Sequence, residues 1–267
     1  MRILITGASG FIGGHLIRSA TSKGFEVLGL SRSRHGNAAS KCMLFWSFGH
    51  ALPPAAKDGI DCAVHLAHDF GGEEGARRTV AGTLALAEEL RQAGVSRQLF
   101  FSSFSAREHA SSLYGRTKFE LECRLGLTKD VVIVRPGLVV GNGGLYGRIS
   151  KWARRLPVIP LPDGGRGEVP VVGVGSLCDK TLKLAAARSP PREANLCERQ
   201  RKTLRALVLE AASEVGRSPW ILPVPSTLLF HGLRLAEAMH LPLPVNADNL
   251  AGFLANQAAP HVARPDD

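Results

Sequence analysis

Tyr114 and Lys118 stand four residues apart and are the pair in this chain best suited to chemistry. On a helix, that spacing puts both side chains on one face, one turn from each other. A free phenol, with a pKa of about 10, is a poor base at neutral pH, but an ammonium within a few ångströms favours its ionised form. Such a pair can exchange a proton with a substrate hydroxyl or carbonyl. Eleven residues before Tyr114, the apolar run Gln98-Leu99-Phe100-Phe101 ends in Ser102-Ser103. A hydroxyl there could donate a hydrogen bond to the same substrate oxygen. Tyr114 and Tyr146 are the only tyrosines in the chain, which gives the register of Tyr114 added weight.

A second constellation lies at the start. The apolar run Arg2 to Thr6 meets Gly7, Gly10 and Gly13, spaced G-x-x-G-x-x-G, and Phe11, Ile12, Leu16 and Ile17 then recur on one helical face. This reads as strand, tight turn and helix. The first N–H groups of a helix lack partners and its N-terminus carries partial positive charge, so a pyrophosphate fits there. Gly7, Ser9, Gly10, Phe11, Ile12 and Gly13 are the expected contacts with a dinucleotide.

The elements that must position these residues alternate between strand and helix. Strands are expected at Phe25–Leu30, Asp61–Ala67, Gln98–Ser103 and Val131–Gly137, with a short one at Met43–Trp46. A helix is expected over Glu73–Ala93 and another around Tyr114. The fold class that follows is α/β, a doubly wound parallel (Rossmann) sheet. After the second strand stand Ser31 and Arg32, with Arg34 close by, where an acidic residue would repel a 2′-phosphate. A guanidinium beside a small hydroxyl suits that phosphate, so NADP(H) is expected in preference to NAD(H).

These stretches together resemble the extended branch of the short-chain dehydrogenase/reductase family: T-G-A-S-G-F-I-G-G at Thr6–Gly14, D-x-V-x-H-L-A at Asp61–Ala67, Y-x-x-x-K at Tyr114–Lys118 and R-P-G-x-x-x-G at Arg135–Gly141. The resemblance implies a nicotinamide cofactor and hydride chemistry on a secondary alcohol or ketone. It assigns Ser103 and Tyr114 to the substrate oxygen and Lys118 to the nicotinamide ribose. Leu66 and Ala67 would pass the cofactor, and Pro136 would shape the nicotinamide pocket. A nucleotide-sugar epimerase or reductase is the expected activity. A catalytically silent NADP-binding sensor or structural subunit is the alternative. A homodimer through the helices at 73–93 and 111–126 is expected by analogy.

The pattern also departs from the family. Thr79 stands where asparagine is usual, and Phe104-Ser105 replaces the acidic pair of the dehydratases, which disfavours dehydration. Ser102 and Ser105 remain alternatives to Ser103. His65 reads as a packed strand residue. In the later segment Val169 takes the place of the arginine that would hold a diphosphate, with Arg166 just before it as a substrate contact.

Composition bounds the rest. The 267 residues are 45% hydrophobic, enough for one α/β domain with a smaller appendage. The expected division is a dinucleotide domain at 1–150 and 168–195, a mostly helical substrate cap at 151–167 and 196–258, and a tail at 259–267. Within the cap, helices are expected at Leu204–Gly216 and Leu228–Leu241, and a returning strand at Val169–Val174 leads into it. The formal charge of +10 lacks aromatic interleaving or a nucleic-acid motif, so an anionic small-molecule substrate is expected rather than nucleic acid. Five scattered cysteines and unpaired histidines point to no metal site. No signal peptide or run of roughly 20 apolar residues is evident, so a cytoplasmic protein with no membrane partner is expected.

Overall fold

The computed structural model describes residues 1–32, 42–241, 243 and 245–257. Arg34 and the tail fall outside the described residues. The chain runs β1 (Arg2–Thr6), α1 (Phe11–Ser22), β2 (Glu26–Ser31), β3 (Met43–Phe45), β4 (Cys62–His65), α2 (Gly72–Gln92), β5 (Gln98–Phe101), α3 (Leu113–Leu125), β6 (Val131–Pro136), β7 (Leu138–Val140) and α4 (Gly144–Ala153). It continues through β8 (Val158–Pro162), β9 (Glu168–Val169), β10 (Val171–Gly173), α5 (Val174–Ala186), β11 (Glu193–Leu196), β12 (Lys202–Thr203), α6 (Leu204–Ser213), β13 (Trp220–Val224), α7 (Ser226–Ala238) and α8 (Ala247–Gln257).

Seven strands form one parallel sheet in the order β3-β2-β1-β4-β5-β6-β11. The order reverses between β1 and β4, the switch point at which doubly wound sheets bind ligands beyond their carboxyl ends. The central strands read as near-continuous apolar runs because both faces are covered. Ile3 and Ile5 face α1 and α5 with Leu16, Ile17 and Leu177. Leu4 faces the opposite layer with Leu86 and Leu90 of α2. Phe100 and Ile133 pack there against Leu121 and Leu125 of α3. The expected doubly wound fold is the observed one, with β5 ending at Phe101 so that both serines lie in the loop beyond it.

The C-terminal part adds a smaller layer. β8 pairs with β13 in parallel, and β9 pairs with β12 antiparallel. Their core joins Ile159, Leu161, Leu207, Val208 and Phe253. The single strand expected over Val169–Val174 is two, since Pro170 has no N–H to continue the ladder and β10 turns instead to β7. The two expected cap helices are α6 and α7, while α8 is a further element.

Candidate active site

The glycine turn is forced by close packing. Gly7 has φ +64, and a Cβ there would lie 2.9 Å from both Ala67 N and Leu66 C. Any other residue would push the β4 loop away from β1. Thr6 Oγ1 accepts from the N–H groups of Leu66 and Ala67 at 3.1 Å each, which locks that approach. A Cβ on Gly13 would strike the Gly7 carbonyl, so α1 lies hard against the turn. Gly10, the N-cap of α1, offers no side-chain acceptor, and the first turn holds no acidic residue. Its positive end and free donors fit a pyrophosphate. The Phe11 ring lies over Gly141, Gly143 and Gly144, where any β-carbon would meet it. Ser31 Oγ donates to Ser9 Oγ at 2.9 Å and ties the end of β2 to the turn. Arg32 is exposed, and its charge helps hold the Asp69 carboxyl below its usual range, behind the larger effects of hydrogen bonds from Arg78 and Gly71.

Tyr114 and Lys118 sit on α3. Ser112 caps this helix, its Oγ accepting from Gly115 N–H at 3.0 Å. Gly115 must be glycine, because a Cβ would lie 2.6 Å from the Ser105 carbonyl. The helix therefore rests against the serine loop. Lys118 Nζ lies 5.6 Å from the Tyr114 ring centroid and 4.8 Å from that of Phe100, and donates to the Phe101 carbonyl at 2.7 Å. Only 2% of Lys118 is exposed, and burial lowers its amine to about 7.

The phenol does not follow the expectation drawn from spacing. Burial pushes Tyr114 up to about 12 rather than down toward neutrality. The physical reason is that the ammonium spends its hydrogen bond on the end of β5 and approaches the ring, while desolvation penalises the phenolate. At neutral pH the Tyr114 phenol thus keeps its proton.

The three serines are not equivalent. Ser102 and Ser105 are buried and Ser103 is partly open. Ser103 Oγ accepts from Ser105 N–H at 3.1 Å and shares a 2.8 Å hydrogen bond with Ser105 Oγ. Ser102 Oγ is buried with no hydrogen-bond partner among the described residues. Ser103 is the hydroxyl a ligand can reach.

Thr79, in the place of the family's asparagine, is wholly buried. Its Oγ1 accepts from Asp69 N–H at 2.9 Å and donates to the Gly75 carbonyl at 2.8 Å, which staples the loop after β4 to α2. His65 pairs through Nε2 with Gln98 Oε1 at 2.8 Å, and burial lowers its imidazole to about 4. Pro136 ends β6 opposite Leu196. Arg166 is exposed just after a short 3-10 turn at Asp163–Gly165, in the cap.

Two residues beside the phenol escaped sequence reasoning. His68 packs edge-on to the Tyr114 ring at 4.9 Å, and the Phe70 ring lies nearly parallel to it at 6.1 Å. Burial, then the charge of Lys118, lowers His68 to about 3. The available signal was a histidine directly after His65-Leu66-Ala67, where the loop leaves the sheet.

The chain is similar to several known proteins. A UDP-glucose 4-epimerase from Vibrio cholerae is 27% identical, with 84% of this chain and 78% of that protein aligned. A ceramide reductase from Caulobacter vibrioides is 28% identical over 88% of this chain and 77% of its own length. The UDP-glucose 4-epimerase of Thermus thermophilus, solved with NAD, superposes with a TM-score of 0.66 at 20% identity, covering 97% of this chain and all of the other; at that identity the likeness is one of fold. The NAD dependent epimerase/dehydratase family profile matches residues 3–175, from the first strand through the glycine turn, the serine loop and the tyrosine helix to the start of α5. With that match spanning more than half of the sequence, the chain belongs to the NAD-dependent epimerase/dehydratase family.

Proposed function

We propose that this enzyme moves a hydride at a secondary alcohol or ketone of an anionic small molecule, as a nucleotide-sugar epimerase or reductase. Ser103 and Tyr114 would hold the reacting oxygen, and Lys118 the nicotinamide ribose. The observation that carries the reading is the Tyr114–Lys118 pair on α3, with the buried Lys118 anchored to the end of β5. A bound nicotinamide supplies or accepts the hydride. The chain's own part is to orient the oxygen through Ser103, deliver or remove its proton through Tyr114, and flank the phenol with the His68 ring. The Tyr114 phenol carries its proton at neutral pH, the state from which a reduction would start.

Ser31, Arg32 and the absence of an acidic residue at the end of β2 support NADP(H) over NAD(H). Gly7, Ser9, Gly10, Phe11, Ile12, Gly13, Leu66, Ala67 and Pro136 are proposed as further cofactor contacts. The division into a dinucleotide domain and a substrate cap, with Arg166 reaching the substrate from the cap, belongs to the same reading. Five cysteines scattered along the sequence without a C-x-x-C pair fit a reducing, cytoplasmic setting. The exposed edges of α2 and α3 would form a homodimer contact. The similar proteins named for an epimerase and for a reductase leave two outcomes: an epimerase retains its dinucleotide through turnover, and a reductase releases it.

Replacing Tyr114 by Phe tests the assignment. With UDP-glucose as probe substrate, turnover should fall by about 10²–10⁴-fold while dinucleotide affinity holds. Unchanged turnover would rule out Tyr114 as the proton-transfer group.

A further inference from the structure

The helix that carries Tyr114 is finished by a residue from the opposite end of the chain. Asp248, in the first turn of α8, directs its carboxylate at the start of α3. Its Oδ1 accepts from Leu113 N–H at 2.5 Å and its Oδ2 from Tyr114 N–H at 3.3 Å. The next two amides belong to Ser112, whose Oγ accepts from Gly115 N–H at 3.0 Å and whose carbonyl accepts from Arg116 N–H at 3.1 Å. The first four N–H groups of a helix have no acceptor inside it. Here the Ser112 side chain serves the Gly115 amide, the Arg116 amide makes the first ordinary helical bond to the Ser112 carbonyl, and the two at and before the tyrosine depend on α8.

The carboxylate also supplies a charge that α3 lacks, since its own first turn has no acidic residue and a helix start carries partial positive charge. Two further contacts seat α8 on the same region. Ser111 Oγ donates to the Ala251 carbonyl at 3.5 Å, and the Cα of Gly252 faces Ser112 and Ser105 closely enough that a Cβ would lie 3.5 Å and 4.0 Å from them. Ser105 is the residue whose hydroxyl holds Ser103. One helix of the cap thus touches the segments that carry both proposed proton-handling hydroxyls.

We infer that Asp248 is a positioning residue whose carboxylate fixes the first turn of α3, and with it Tyr114. This rests on reading Tyr114 as the proton-transfer group. Asp248 touches backbone amides and needs no contact with substrate.

The test uses the full chain with NADPH bound and compares Asp248→Ala, Asp248→Asn and Leu250→Ala. Leu250 lies in α8 but packs with Leu233 and Ala247 rather than on α3, so it matches a loss of cap stability without touching the amides. Amide exchange at Leu113 and Tyr114 should speed up by about tenfold or more in Asp248→Ala. Its kcat on UDP-glucose should fall by about tenfold to a hundredfold with KM and dinucleotide affinity held. Asp248→Asn, which keeps one acceptor oxygen, should recover part of both. Leu250→Ala should change neither. Exchange and kcat in Asp248→Ala that match wild type, or losses in Leu250→Ala equal to those in Asp248→Ala, would overturn the role of Asp248. If Tyr114→Phe turns over like wild type, the parent reading has failed instead, and exchange at the two amides still decides whether Asp248 holds the helix.

Discussion

At the scale of single residues, burial decides the chemistry more than sequence spacing does. The four-residue interval put Tyr114 and Lys118 on one face, but only the packing around them reveals a phenol near 12 and an amine near 7. The consequence for Lys118 can be measured. The unfolded chain keeps its proton up to 10.5 and the folded chain releases it near 7, so over that window the unfolded state holds more protons and stability rises with pH. Denaturant melts at intervals between pH 7 and 10 should show this rise, at most about 1.36 kcal/mol per pH unit from this one group, and Lys118→Met should remove it. The buried histidines act lower. His65 charges at 6.5 in the unfolded chain and near 4 when folded, so stability is lost as pH falls through that interval, by about 3 kcal/mol from His65 alone. His68 extends the loss toward pH 3. Melts at pH 7 and pH 4.5 should differ in that direction.

At the scale of elements, the helix proposed to carry the proton-transfer group is held from three sides. Asp248 takes its start and the Lys118 amine meets the end of β5. A buried ion pair takes its middle: Arg135 of β6 donates to both Glu122 oxygens at 2.8 and 2.6 Å, and also to Glu193 at 2.7 Å. Arg135 is 5% exposed and Glu122 9%. Removing one partner strands a buried charge, so Arg135→Leu should cost about 3–5 kcal/mol in denaturant unfolding. The arginine of R-P-G was legible in the sequence as a family motif, but its partner was not, because nothing local links β6 to α3. For α8 the local signal existed. Asn246 accepts from Asn249 N–H at 2.7 Å, and Asn246, Asp248 and the periodic Leu250, Phe253 and Leu254 form a helix start that sequence reading passed over. The split of β9 from β10 was likewise written in Pro170. What sequence could not give is the pairing of α8 with α3, a contact across more than a hundred residues.

At the scale of the whole molecule, the doubly wound parallel sheet, the glycine turn and the serine and tyrosine segments were all readable in advance, while the strand order was not. Each rests on short-range patterning that the parallel sheet then brings to one edge. The C-terminal part, proposed as a substrate cap, was less readable, since it is built from short strand pairs such as β8 with β13 and from helices whose positions depend on tertiary packing. If the α2 and α3 faces pair as proposed, replacing the partly buried Leu84 or the exposed Ala81 on α2 by Glu should turn a dimer into a monomer in sedimentation, with the fold retained. The central claim is that the glycine turn and the Tyr114 helix together serve a nicotinamide dinucleotide, and the thermal midpoint measured against dinucleotide concentration tests it most directly. A saturating rise is expected, reached at lower NADPH than NADH, corresponding to about 2.7 kcal/mol of added stability at a hundred times Kd. No shift with any nicotinamide dinucleotide, oxidised or reduced, would contradict it.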